Sequence, residues 1–189
     1  MIKVLAISGS VRQGSLNKQL HDVVVEATRA AGAEVTVLNL RDYPMPIYDG
    51  DLEAQEGIPA NARKLKTVFK AHHGLLIVSP EYNSSISPLL KNTLDWVSRP
   101  DGGENGLVPY QGKVAALFAA SQGNLGGLRG LVHVRAVLQN LGVLVLSEQY
   151  ALARAHEAFT ADNRLSDPRA QAAVGGIAQR LVDVVKKLN

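Results

Sequence analysis

Short, almost uninterrupted apolar runs alternate along the chain with longer stretches in which apolar residues recur every three to four positions. The runs are residues 3–8, 34–40, 74–79, 113–120 and 143–147. Near-continuous hydrophobic strands of this kind suit a parallel sheet covered on both faces. Between them, Leu16, Leu20, Val23, Ala27 and Ala30 mark one helical stripe within 15–31, and Gly32 falls where a helix C-cap belongs. Further helices are predicted over 58–71, 88–97 and 128–141. Ser87-Pro88 supplies an N-cap followed by proline at the first helical position, and Gly142 follows the fourth helix. The last helix begins at Asp167-Pro168 and carries Val174, Ile177, Leu181, Val184 and Leu188 on one face. Five strands alternating with five helices predict an α/β, doubly wound, five-stranded parallel sheet with helices on both faces. Periodicity does not give the strand order. Either common order places a ligand outside the carboxyl ends of the strands, in the loops at 8–17, 39–57, 79–87, 121–127 and 147–160.

A length of 189 residues suits one domain spanning 1–189, large enough to bury about 70% of its unfolded surface without staples. With no cysteine there is no disulfide scaffold, no Cys-ligated zinc or iron–sulfur site and no thiol nucleophile. No apolar run approaches the ~18 residues that span a bilayer, and the stretch from Val4 to Ile7 is too short for a signal peptide, so a cytoplasmic protein without membrane contact is expected. The 20 Lys and Arg against 17 acids are scattered rather than gathered into an arm or tail, which argues against nucleic acid as a partner. His72 and His73 are adjacent and point about 100° apart on a helix, so they suit a solvated helix end rather than a metal. No metal ligand set is assigned. The acids Asp49, Asp51, Glu53 and Glu56 read as a solvated loop. The apolar connector from Tyr43 to Tyr48 suggests a subunit interface or the rim of a site, and Trp96 reads as a packing residue.

The chemistry concentrates after the first strand, in Ser8-Gly9-Ser10-Val11-Arg12-Gln13-Gly14-Ser15-Leu16-Asn17. Glycines and a helix N-terminus make an anion site. Gly9 and Gly14 have Walker A spacing, but Ser15 stands where the lysine belongs and Leu16 where the Mg²⁺-binding hydroxyl belongs. Val11 occupies the middle glycine of a dinucleotide fingerprint and would obstruct a pyrophosphate. Arg41, after the second strand, would meet a 2′-phosphate in a Rossmann arrangement; with that arrangement disfavoured it reads as one more surface arginine. What remains is hydroxyl-rich with one guanidinium. That matches the charge of a phosphomonoester, about −1.5 to −2 near pH 7. Arg12 as a plain surface residue at a helix start is the alternative. The second loop, from Pro80 to Pro88, can present backbone N–H groups to the edge of a flat heterocycle, with Tyr82 nearby. The third, Ser121-Gln122-Gly123-Asn124-Leu125-Gly126-Gly127, can reach the same ligand from the other side.

G-S-x-R-x-x-S-x-N at Gly9 to Asn17, followed by P-E-Y-N-x-S-x4-L-K-N-x-x-D-W at Pro80 to Trp96, resembles the NADPH-dependent FMN reductase family; S-x-G-x-x-G-G from Ser121 is a looser match to its third loop. The resemblance implies a flavodoxin-like fold with strand order 2-1-3-4-5, FMN as cofactor, NADPH or NADH as co-substrate, and a homodimer or homotetramer. By the same carry-over Ser10, Arg12, Ser15 and Asn17, with Leu16 between them, hold the phosphate. Pro80, Glu81, Tyr82 and Asn83 line the isoalloxazine largely through backbone groups, and Ser121 and Gly123 lie by its pyrimidine edge.

Hydride transfer from a reduced nicotinamide to flavin N5 needs no protein nucleophile, because the cofactor carries the chemistry. No catalytic side chain is therefore expected. The implied activity is a two-electron, ping-pong NAD(P)H oxidoreductase passing reducing equivalents to a small acceptor: a quinone, free flavin, azo dye or metal oxyanion such as chromate. The rival is a flavodoxin-type FMN electron carrier without its own NAD(P)H turnover. Such carriers are similar in fold, usually strongly acidic, and clamp the flavin between aromatic side chains. This chain is net +3 and offers one aromatic, Tyr82, in its three loops.

Overall fold

A computed structural model describes residues 1–189. Its main sheet takes β1 (Lys3–Ser8), β2 (Glu34–Leu38), β3 (Gly74–Val78), β6 (Val114–Ala120) and β7 (Leu144–Leu152), all parallel, in the order β2-β1-β3-β6-β7. Counted among themselves these strands run 2-1-3-4-5, the flavodoxin-like order. β4 (Glu81–Tyr82) and β5 (Ser85–Ile86) form a separate antiparallel hairpin.

Successive side chains of a strand point to opposite faces, and β1 shows the consequence. Val4 and Ala6 pack with Leu20, Val23 and Val24 of α1 (Leu16–Ala30) and with Val174, Leu181 and Val185 of α6 (Pro168–Leu188). Leu5 and Ile7 pack with Leu65 and Phe69 of α3 (Ala60–Lys70), Leu90 and Leu94 of α4 (Pro88–Val97), and Leu131 and Val134 of α5 (Leu128–Asn140). Caps fix the helix starts, as expected at Ser87 and at Asp167-Pro168 and additionally at Ser15. The side chains of Ser15, Ser87 and Asp167 each accept a first-turn N–H, and proline follows Ser87 and Asp167. No helix is long and apolar enough to cross a membrane.

Several local expectations need correcting. The last strand does not stop at residue 147. After Ala115 pairs with Val145, Leu117 pairs with Gln149, so β7 holds two more residues than β6 across this step and then continues to Leu152. Arg135 fastens the irregularity through Val145 O and Gln149 Oε1, which is why a polar Ser147-Glu148-Gln149 stretch lies inside a strand. The acids after residue 48 are a helix rather than a solvated loop. Asp49 caps α2 (Gly50–Glu56), and Glu53 accepts hydrogen bonds from Arg99 Nε at 2.8 Å and the Tyr48 hydroxyl at 3.0 Å. The connector before it is tied onto α4: the fully buried Trp96 donates to Pro46 O at 2.8 Å and meets the Tyr48 ring edge-on at 5.0 Å. His72 is buried, with hydrogen bonds to Val68 O and Thr36 Oγ1. On α6 the buried stripe continues through Val185, leaving Val184 half-buried and Leu188 exposed.

Two buried polar links join distant segments. Asn17 in α1 donates to Ala120 O at 2.8 Å and accepts from Ala120 N at 2.9 Å. Replacing it with a similarly shaped apolar residue leaves two buried backbone groups unpaired at about 1–3 kcal/mol each. Asn17→Leu is expected to lower the unfolding free energy of the ligand-free protein by about 2–6 kcal/mol in urea titration. At the opposite end of the sheet Lys113 is buried with its ammonium on His72 O, and burial pushes its pKa down to about 8. The unfolded chain, titrating near 10.5, then holds more protons between pH 8 and 10.5, so this residue makes stability rise with pH across that window. Burial holds the Tyr110 hydroxyl well above its ordinary value, which opposes the trend above about pH 10. Urea midpoints measured from pH 7 to 10 should therefore climb in the wild type and lose that climb in Lys113→Met.

Candidate functional site

Neighbouring strands in the order β1-β3-β6 deliver three loops to one end of the sheet. Helices α1 and α4, which follow the first two, lie on opposite faces, so a crevice opens between them. A cleft of about 310 Å³ there is lined by Ser10, Arg12, Ser15, Leu16 and Asn17 of the first loop, Pro80, Glu81 and Tyr82 of the second, and Ala120, Ser121 and Gln122 at the third. Nine of the eleven residues singled out from the sequence are thus brought to one wall-sharing cleft, while Asn83 and Gly123 stand outside its lining.

Close approach of the first two loops depends on Gly9. A Cβ there would sit 3.1 Å from Pro80 Cδ, 3.1 Å from Ser87 Oγ and 3.3 Å from Leu90 Cβ. Ser87 binds the loops together, donating to Gly9 O at 2.8 Å while capping α4. The first loop then turns through Gly14 at φ 65° into the Ser15 cap. Ser15 accepts Lys18 N at 3.3 Å, which leaves its hydroxyl hydrogen free to donate toward the cleft. Six arginines pair with carboxylates, at positions 29, 63, 99, 129, 164 and 180; Arg12 is exposed and is not among them. Asn17, by contrast, is a tether: its carbonyl oxygen and one amide hydrogen are taken by Ala120.

The second loop is the β4–β5 hairpin. Asn83 and Ser84, at φ 47° and 67°, make its two-residue turn in the left-handed region, the geometry whose twist suits a tight hairpin. Asn tolerates that region well; Ser84 is held there by its surroundings. Glu81 explains how. Its Oε1 accepts from Arg129 Nη2 at 2.6 Å and Nε at 3.0 Å, and its Oε2 accepts from Gly130 N at 3.0 Å at the start of α5. Burial pushes the Glu81 carboxyl up, but the Arg129 guanidinium and the Gly130 N–H outweigh it and hold it below the usual carboxylate range. Ser85 Oγ and His133 Nδ1 share a second link to α5, at 2.7 Å. The Glu81 carboxylate thus faces α5 and fixes the hairpin, leaving Tyr82, about half exposed, as the hairpin's side chain at the cleft.

The third loop is built by close backbone contact with the extension of β7. Ser121 N donates to Leu152 O, Ala155 N to Ser121 O and Arg154 N to Gly123 O. Gly126, at φ 62°, lies so near Ala151 that a Cβ would come within 2.6 Å of its carbonyl. Sequence reasoning did not single out Ala120 and Gln122 as lining residues, or Ser87, Arg129 and Gly126 as the ties that hold the loops. Ala120 contributes backbone, which no side-chain pattern reveals, and Arg129 reads as an ordinary surface residue until Glu81 is placed beside it.

The chemical capacity of the cleft is that of a flat, monophosphorylated ligand site. A guanidinium without an acidic partner, a free hydroxyl and a helix N-terminus share the cleft with the backbone of the second and third loops and with Tyr82. The sequence profile of the NADPH-dependent FMN reductases matches residues 2–157. An NAD(P)H-dependent FMN reductase of Pseudomonas aeruginosa is 34% identical over 188 residues, 99% of this chain and 97% of that one. The quinone reductase of Escherichia coli K12 is 32% identical over 148 residues, 78% of this chain and 74% of its own. Among solved structures, the flavoenzyme NAD(P)H:(acceptor) oxidoreductase FerB of Paracoccus denitrificans superposes with a TM-score of 0.84 at 29% identity, covering 99% of this chain and 98% of that one. The chain belongs to the NADPH-dependent FMN reductase family, FMN-dependent oxidoreductases that use NAD(P)H.

Proposed function

We propose that the cleft formed by the three loops holds FMN, and that the protein is a two-electron reductase in which NAD(P)H and a small oxidised acceptor, a quinone in the first instance, take turns at one exposed flavin face. The observation that carries this reading is Arg12, an uncommitted guanidinium in the same cleft as the α1 N-terminus and Ser15. Together they answer the charge of one phosphomonoester. Ser10, buried beside them, adds a hydroxyl, and Leu16 closes the wall behind. Asn17 holds the loop in register with the end of β6 rather than supplying the main donors.

When bound, FMN supplies the acceptor atom for hydride and returns it to the second substrate. The chain's own work is to bind and orient. The backbone from Pro80 to Tyr82 and the Ser121–Gln122 segment flank the cleft where the ring edge would lie; Ser121 N is given to Leu152 O, and the Gln122 N–H is left to favour an electron-rich ring. Glu81 is bound to Arg129 and Gly130, so the site keeps no free carboxylate to repel a reduced flavin. One face open to both substrates accounts for ping-pong turnover without a dinucleotide fingerprint. The electron-carrier alternative is disfavoured because Tyr82 is the one aromatic side chain lining the cleft. We extend the proposal to a homodimer, supported by exposed apolar side chains on the connector (Ile47, 84% exposed) and along α5 (Leu128 and Val132).

Arg12→Ala is expected to weaken FMN binding by about 1.5–3 kcal/mol, the value of a charge-assisted hydrogen bond, and so to raise Kd roughly 10- to 150-fold. Titration of FMN-free protein by flavin fluorescence reads this directly; an unchanged Kd removes Arg12 from the phosphate site. Steady NADPH oxidation by the purified protein with a soluble quinone separates a reductase from a carrier, which would turn over only with an added reductase.

A further inference from the structure

One strand away from the flavin cleft, a second cleft of about 390 Å³ lies between the first loop and the end of β2. Arg12, Lys18 and Arg41 line it, and no carboxylate does. Arg41 stands on the 3-10 turn Leu40–Asp42, its backbone N–H given to Asn39 Oδ1 and its guanidinium hydrogen-bonded to Val11 O. That bond uses Nη2, leaving the remaining guanidinium donors without a carboxylate partner. Lys18 is 60% exposed, with Asp22 only at 4.0 Å. The same wall includes His21, whose side chain is 3% exposed. Its Nδ1 lies 3.3 Å from Asp22 Oδ1, and its Nε2 is the one buried side-chain nitrogen or oxygen in the chain with no partner. Leaving a buried polar atom unpaired is unfavourable, and a polar ligand entering the cleft would offset that cost.

The basic cleft is not isolated. A third cleft of about 360 Å³ shares Val11, Arg12 and Arg41 with it, and shares Ser10, Arg12 and Tyr82 with the flavin cleft. Shallow open surface therefore runs from Tyr82, past the first loop, to Arg41 and Lys18. The flavin phosphate would use Arg12 and the α1 N-terminus, which leaves Arg41 and Lys18 available to a second anion.

Resting on the reading of the first cleft as the FMN site, we propose that the cleft beside β2 is the receptor for the 2′-phosphoadenosine end of NADPH, with Arg41 and Lys18 on the 2′-phosphate and His21 Nε2 toward the ribose. The nicotinamide end then reaches the flavin beside Tyr82 along the connecting surface. This is not a Rossmann arrangement, since Val11 still blocks a pyrophosphate at the first turn. The two cations instead recognise the one group that distinguishes NADPH from NADH, so the chain is a discriminating NADPH enzyme. Its co-substrate must come from reactions that regenerate NADPH rather than NADH.

FMN-loaded wild type, Arg41→Ala, Lys18→Ala and the double variant should be compared by kcat/KM for NADPH and for NADH with one quinone. The wild type is expected to favour NADPH, and each single substitution to lower the NADPH-to-NADH ratio about tenfold, chiefly through KM for NADPH, as loss of one charge-assisted contact implies. Arg41 also holds Val11 O, so flavin content is measured alongside. Lys18 makes no side-chain bond to the first loop, so Lys18→Ala decides the matter if Arg41→Ala loosens the loop. Calorimetry of 2′,5′-ADP and 5′-ADP on the FMN-loaded protein gives a readout that needs no turnover, with 2′,5′-ADP expected to bind more tightly and to lose that advantage in both variants. A ratio unmoved by either substitution, or equal affinity for the two nucleotides in the wild type, overturns the clamp. A protein that binds 2′,5′-ADP as expected but oxidises neither nicotinamide overturns the reductase reading and leaves the clamp standing.

Discussion

A single side-chain amide, that of Asn17, sets the geometry on which the site depends. It reads both the N–H and the C=O of Ala120, 103 positions away, in a buried environment where neither backbone group has water to fall back on. Because the amide leaves the first turn of α1, that turn is fixed relative to the end of β6. The helix N-terminus, its Ser15 cap and the third loop are thereby held in one frame. Ser87 does the same between the first and second loops by reaching Gly9 O. The crevice is a consequence of these ties as much as of strand order.

The fold was legible in the sequence because its strands are buried on both faces and its helices are capped by residues with few other uses. The run from Val4 to Ile7 has no polar interruption to misread, and Ser87-Pro88 starts a helix wherever it stands before an apolar stripe. What escaped the pattern was structure made by pairing across long separations. The extension of β7 through Glu148 and Gln149 is polar on its own and is a strand only because Leu117 to Ala120 lie beside it. The helix at Gly50–Glu56 is too short to show a period and stands on Asp49 and on the Glu53–Arg99 pair. His72 reads as solvated until Thr36 and Val68 are found around it.

The site was legible to the same extent and for related reasons. Residue types in the first loop announce charge and hydroxyls, and those residues do share a cleft. Spacing does not announce whether a polar side chain faces a ligand or the protein. Asn17 and Glu81 both line the cleft as expected, and their side chains are also tied to the fold: one to Ala120, the other to Arg129 and Gly130. The division of labour is physically sensible for flavin chemistry. Polar groups that position loops are saturated, and what is left open toward the cleft is one cation, small hydroxyls and main-chain amides.

The two surplus residues of β7 matter beyond the third loop. β7 is the outermost strand of the sheet on its side, nine residues long, and a straight strand of that length would offer a row of open amides to any passing chain. The irregularity after Val145 breaks that row in the middle and places Glu148 beside the break, with Arg180 of α6 reaching toward it. The strand whose far end carries the third-loop contacts thus has its open edge interrupted, which makes it a poorer template for edge-to-edge pairing with another copy.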